Sequence, residues 1–358
     1  MKINFKLLLL ITIPVISLSS CSKDNKKDFK VDYFTNGVYV VNEGSYGAGN
    51  SSVSYLNLQA GTMSNDVFAI SNGFPLGDVA QSMTILNNKG YIVVNNSQKI
   101  EVVDLNNMLS IATITGFQSP RYFISSNNKG YVSDWFDNNI KVIDLSTNTI
   151  TNTIPTGNGP EQMVINSNKL FVVNVGGFGT DNTVTVIDLV SETVLTTVTV
   201  GVNPNSICTD ANGKIWVLCS GSTGPDFTGG TADDIAGSLW KVNSSNQTIE
   251  TSLPMGQFEH PVKLTKNGAG TDLYFLNGSD AYTGKVCKTS ISNPSVSGLV
   301  PLVDRLFYGL GVHPVYGTIY GGFVPGFTQN GHIFRYQSSG NVIDSMEVGI
   351  APNFFVFK

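Results

Sequence analysis

The sequence predicts an all-β fold, a seven-bladed β-propeller of four-stranded antiparallel blades whose ring is closed by the C-terminal strand. Three observations predict it. One strand motif, an aromatic followed by apolar residues and often Asn, recurs seven times: Tyr39-Val40-Val41-Asn42, Tyr91-Ile92-Val93-Val94-Asn95, Tyr131-Val132, Phe171-Val172-Val173-Asn174, Trp216-Val217-Leu218, Tyr274-Phe275-Leu276-Asn277 and Tyr320-Gly321. Its steps of 40 to 58 residues suit blades of four strands. No stretch carries a sustained helical apolar period; runs rich in Val, Ile and Thr alternate with Asn, Gly and Ser. Last, Asn353-Phe354-Phe355-Val356-Phe357 ends the chain as a strand, while the first repeat, from Gly37, lacks an inner strand before it. A β-sandwich would produce neither feature.

The elements follow in order. Lys2 and Lys6 precede an apolar stretch, Leu7 to Leu18, and then Ser19, Ser20 and Cys21. This is the basic, apolar, small-residue order of a secretory signal peptide, and its core is short for a membrane span. Leu18-Ser19-Ser20-Cys21 matches a lipobox, so residues 1–20 are expected to be cleaved and Cys21 to be lipidated. Residues 21–36 begin polar and charged, a flexible tether, and residues 37–358 form the propeller. Within each repeat another strand follows the aromatic one in register, as in Ile100-Glu101-Val102-Val103-Asp104-Leu105, Ile140-Lys141-Val142-Ile143-Asp144-Leu145 and Val184-Thr185-Val186-Ile187-Asp188-Leu189. Gly-x-x-Pro then marks the passage to the next blade, as at Gly157 and Pro160, Gly201 and Pro204, and Gly349 and Pro352.

Charge and cysteines narrow the function. The chain has 21 basic and 26 acidic residues; losing residues 1–20 removes Lys2 and Lys6 and leaves 19 against 26, a net −7. Such a domain, without a basic stripe, has no electrostatic reason to bind nucleic acid or an anionic membrane face. Cys208, Cys219 and Cys287 are odd in number and lack CxxC spacing, so they are expected to be buried apolar residues.

Alternate loops of such blades share a face. One face has short turns, such as Asn87-Asn88, Asn127-Asn128 and Asn166-Ser167-Asn168. The other has longer loops rich in Gly and aromatics, and binding residues concentrate on loops held by a rigid scaffold. Its candidates are Tyr46, Trp135, Phe136, Phe178, Phe227, Tyr282 and Phe327, with His260 beside Pro261. At the channel mouth the first residues of the inner strands would gather: Gln81, Arg121, Glu161, Asn205, Val262, Tyr308 and Asn353, mostly neutral hydrogen-bonding groups. Each could instead be satisfied within the fold, an aromatic by folding onto its own blade. Gly-x-Ser-x-Gly, a phosphate loop and HExxH are absent, so no catalysis and no cofactor are expected. A metal at the mouth would rest on Glu161, Asn205 and Asn353, a thin ligand set.

The Val-x-Val-Ile-Asp-Leu and Gly-x-x-Pro pattern resembles YVTN-type surface propellers. Tyr39-Val40-Val41-Asn42-Glu43-Gly44-Ser45-Tyr46-Gly47, Leu76-Gly77-Asp78-Val79-Ala80-Gln81-Ser82 and Tyr91-Ile92-Val93-Val94-Asn95-Asn96-Ser97 resemble the Bacteroidetes surface-exposed propeller lipoproteins that bind vitamin B12. That resemblance implies a lipid-anchored protein of the outer membrane, facing outward, that captures a corrinoid and passes it to a TonB-dependent transporter. A corrinoid, wide and rimmed by neutral amides, suits aromatic walls with Asn, Gln and Tyr partners; an anionic siderophore would want clustered Arg and Lys. Protein or glycan adhesion, and a metal-dependent propeller hydrolase or lyase, are the alternatives.

Overall fold

The computed structural model describes residues 37–225, 229–280 and 282–358. Within them the chain forms seven four-stranded antiparallel sheets in a ring. The inner strands, in chain order, are Ala80–Leu86, Pro120–Ser126, Pro160–Asn166, Pro204–Thr209, Val262–Lys266, Gly309–Val312 and Pro352–Phe357. The last belongs to blade one: it pairs with Gly37–Asn42, Val38 opposite Phe357 and Val40 opposite Phe355. Lys358 and Gly37 exchange backbone hydrogen bonds of 3.0 and 3.3 Å at the end of this ladder. The expected closure is therefore the one observed.

The strand sequences explain the stacking. The second strand of each blade, the one bearing the aromatic motif, is sandwiched between two neighbouring sheets and buried on both faces, so it reads as a continuous apolar run rather than an alternating one. Tyr39, Val172 and Trp216 accordingly have no exposed surface. Side chains from adjacent blades merge into shared cores; one joins Phe171, Val186, Ile207 and Val217 across blades four and five. The three cysteines of the propeller are free and buried, as expected.

The recurrent Asn that ends the second strand is a staple. Asn42 Nδ2 donates to Ser52 and Ser54 of the next strand (3.1 and 3.0 Å), and Asn174 Nδ2 to Thr183 and Thr185 (2.9 Å each). The Gly of Gly-x-x-Pro lies against this staple: a Cβ at Gly349 would stand 2.8 Å from Asn42 Nδ2, and one at Gly157 2.6 Å from Asn174 Nδ2. The recurrent Asp closes the outer turn, Asp144 Oδ1 accepting from Ser146 N–H (2.8 Å) and Asp188 Oδ1 from Val190 N–H (2.9 Å). At the short turns, Asn87-Asn88, Asn127-Asn128 and Ser167-Asn168 all have positive φ, which a two-residue type I′ hairpin requires and Asn tolerates.

One element departs from the all-strand expectation. A six-residue helix, Val67–Asn72, fills the long junction between blades one and two. It is too short to show a helical period in sequence and rests on tertiary packing instead. Val67 and Phe68 are buried, and Asn72 binds blade two through Met108 O and Ser110 N–H, both at 2.8 Å. Among the described residues no helix is long and apolar enough to cross a membrane.

Candidate functional site

Inner strands run from the elaborated loop face towards the turn face, so their first residues meet at the mouth of the central channel. There the structure shows a cavity of about 660 Å³. Of the residues expected from sequence, Gln81, Arg121, Trp135, Glu161, Phe178, Asn205, His260, Tyr282 and Tyr308 line it, as does Val262. Tyr46, Phe136, Phe327 and Asn353 lie outside its lining. Tyr46 is 82% exposed on its loop, where the neighbouring Ser45 Oγ donates to Phe327 O (2.6 Å) and ties blade one to blade seven. Phe327 packs edge-on against Tyr308, ring centroids 5.5 Å apart. Phe227, with the expected signal peptide, Cys21 and expected tether, falls outside the described residues.

The wall over blades three and four is aromatic. Trp135 meets Phe136 and Phe178 at centroid distances of 5.1 Å each, and those two lie 5.6 Å apart. Phe178 is 87% exposed although its ring meets Trp135 and Phe136, an uncommon position for a large apolar side chain. Around blades five and six the wall is polar. Asn203 Nδ2 donates to Gly221 O and Asn205 Nδ2 to Pro261 O, both 2.9 Å. His260 is buried, its Nδ1 2.9 Å from Ser220 O and its Nε2 3.1 Å from Asp234 Oδ2. Both ring nitrogens are thus engaged by Ser220 and Asp234, with none left to offer a ligand.

The mouth carries more charge than the sequence suggested. Arg121 Nη2 meets Glu161 Oε1 at 2.7 Å, its Nε donates to the same oxygen at 2.8 Å, and its Nη1 donates to Gln81 Oε1 at 2.7 Å. Opposite stands Glu43, whose Oε2 accepts from Tyr308 OH at 2.6 Å. Lys263 donates to Asn353 Oδ1, and Asn353 Nδ2 donates to Gln81 O at 3.2 Å. Burial raises the Glu43 carboxyl above its usual range, with Lys263 and Tyr308 opposing; burial lowers the Lys263 ammonium, with Glu43 opposing. Burial, then the Glu43 charge, raises the Tyr308 phenol well above its ordinary value. Arg121 is pulled down by burial but held above its usual value by Glu161.

Glu43, Tyr122, Gln162, Asn203 and Lys263 also line the cavity and were not among the candidates. The reason for three of them is a bulge. The ladders shift register between Pro120 and Phe123, Pro160 and Met163, and Val262 and Thr265. A bulge adds an unpaired residue and re-aims its neighbours, so Tyr122, Gln162 and Lys263 join the residues before them at the mouth. Strict alternation predicts only the first of each pair.

Among the described residues no group of three His, Cys, Asp or Glu is placed to hold a metal ion. Solved propellers share the fold. A quinoprotein alcohol dehydrogenase-like protein from Bacteroides thetaiotaomicron superposes with TM-score 0.66 at 14% identity, over 91% of this chain and 78% of that one. The periplasmic gluconolactonase of Pseudomonas aeruginosa gives 0.64 at 13%, over 89% and 99%, and a putative 6-phosphogluconolactonase of Bacteroides fragilis 0.63 at 12%, over 90% and 98%. At such identities the likeness is one of fold alone. No curated protein matches the chain significantly. The model of DUF5074, a domain of unknown function, matches residues 36–358, and the chain belongs to that family.

Proposed function

We propose that this protein is a lipid-anchored surface lipoprotein that captures a corrinoid on its loop face and delivers it to a TonB-dependent transporter of the outer membrane. The observation that carries the reading is the cavity itself: an open mouth of about 660 Å³ with an aromatic wall on one side and hydrogen-bonding groups on the other. A flat macrocycle rimmed with amides can stack on Trp135 and Phe178 while its rim meets Gln162, Asn203 and Asn205. Arg121 and Glu161 neutralise each other, which leaves no cationic cluster for an anionic ligand. The protein acts by binding, without catalysis. Gel filtration of the mature chain with Cys21→Ala, mixed with cyanocobalamin, tests it: visible absorbance should co-elute with protein. Absorbance eluting wholly as free ligand would end the corrinoid reading and leave adhesion or hydrolysis, the latter checked on a sugar lactone. The anchor has its own test. The wild type should incorporate labelled fatty acid and Cys21→Ala should not; equal labelling would remove the lipoprotein.

A further inference from the structure

At the floor of the cavity stand two charges that nothing neutralises at contact distance. Glu43 comes from the loop of blade one and Lys263 from the bulge of blade six, and Tyr308 stands between them. The phenol of Tyr308 donates to Glu43; the Lys263 ammonium sits 5.6 Å from the centre of the same ring and donates to the neutral amide of Asn353. Among the described residues neither charge forms an ion pair within 4.0 Å, whereas Arg121 and Glu161 close on each other at 2.7 Å. Lys263 is also held in an unusual backbone. In blades one, two, four and five the positive φ at the junction falls just before the inner strand, on Ala351, Val79, Gly159 and Asn203; in blade six it falls on Lys263 itself, φ +62. Such a conformation is strained and clusters at ligand sites.

We propose that Glu43 and Lys263 form a subsite for one primary carboxamide of the ligand, Lys263 donating to its carbonyl oxygen and Glu43 accepting from its N–H. The proposal rests on the small-ligand reading of the cavity. A carboxamide carries an acceptor and two donors on neighbouring atoms, so it can satisfy an ammonium and a carboxylate that are not paired with each other. A carboxylate would satisfy Lys263 but set a second negative charge against Glu43, and an ammonium would fail in the mirror sense.

Saturation-transfer NMR with propionamide and propionate tests this without any corrinoid. The wild type should bind the amide about tenfold more tightly than the acid, a modest toll for like charges brought together. In Glu43→Ala the preference should invert, because Lys263 is left alone to attract the carboxylate; in Lys263→Met both probes should weaken. Glu43→Gln, which keeps the shape, should lose the discrimination and serves if Glu43→Ala fails to fold. Equal binding of the two probes by the wild type, no signal from either, or an unchanged preference in the folded Glu43 variant overturns the subsite. If the amide preference stands while cyanocobalamin does not bind, the corrinoid reading falls and the subsite survives; the reverse result separates them the other way.

Discussion

The turn aspartates on one face of the disc and the buried pair at the mouth on the other are treated in opposite ways by their surroundings. On the turn face, Asp144 and Asp188 close tight turns, and hydrogen bonds from Ser146 and from Ser191 hold their carboxyls below the ordinary value. On the loop face, burial raises Glu43 above its ordinary value and lowers Lys263. The first pair is stabilised by its surroundings as charges. The second is driven towards neutrality by them, so keeping both groups ionised costs stability. Despite burial, Asp234 on the loop face, bonded to Gly230 and His260, is lowered like the turn aspartates, so the contrast is confined to the buried pair at the mouth, and strongly perturbed groups in a cleft are where function concentrates.

The comparison can be broken most forcefully at the ring closure that both faces depend on. Deleting residues 353–357 removes most of one strand ladder together with Phe355, whose burial alone is worth about 1.5–3 kcal/mol. Phe354, Val356 and Phe357 add less, because each is only partly buried. The total should still be a large share of the ~5–15 kcal/mol stability of a domain, and the truncated chain should lose its cooperative thermal transition. A melting temperature unchanged within a few degrees would contradict closure by this strand. Next in size, Trp135→Ala and Phe178→Ala should each weaken ligand binding by about 1–4 kcal/mol, as anchors do. Phe178→Ala should leave the melting temperature almost unmoved, since its ring is exposed.

The charges themselves sharpen the contrast through pH. The folded Glu43 carboxyl is raised, so its ionisation penalises folding once pH rises above its unfolded value, about 4.3. Glu43→Gln should therefore match or exceed the wild type at pH 7 and lose that advantage near pH 4. The folded Asp188 carboxyl is lowered, so its contribution is present above about pH 4 and lost as pH falls through the lowered value. Asp188→Asn should destabilise at pH 7 and converge on the wild type in acid. Denaturant melts at both pH values give the two signs; equal signs would break the contrast. The smallest effect belongs to the turn itself. Asn128 has φ +62 and an exposed 3.1 Å hydrogen bond to Ser146. Glycine meets the same φ freely, so Asn128→Gly should change stability by less than about 1 kcal/mol and binding not at all.

The architecture was legible in the sequence because each blade repeats the same local devices. Asn42 and Asn174 staple second strands, Asp144 and Asp188 close turns, and Phe355 waits for a partner that only the first repeat can offer. The helix Val67–Asn72 was not legible, since it is held by Asn72 bonding to a blade that comes later in the chain. The site was half legible. Register placed Gln81, Arg121, Glu161 and Asn205 at the mouth, but the bulges that add Tyr122, Gln162 and Lys263 leave no mark that alternation can read. Nor does the sequence show that His260 is consumed by Ser220 and Asp234, because those contacts join residues 40 and 26 positions away.

Calorimetric titration of the mature chain with cyanocobalamin and cobinamide, at 50 and at 500 mM salt, addresses the central claim directly. Binding through stacking and buried hydrogen bonds should give a saturable heat that changes little with salt, since screening acts on exposed charges far more than on buried contacts. The heat should weaken in Trp135→Ala and persist in Asn128→Gly. No heat with either corrinoid at tens of micromolar, or binding equally lost from substitutions on both faces, would contradict it.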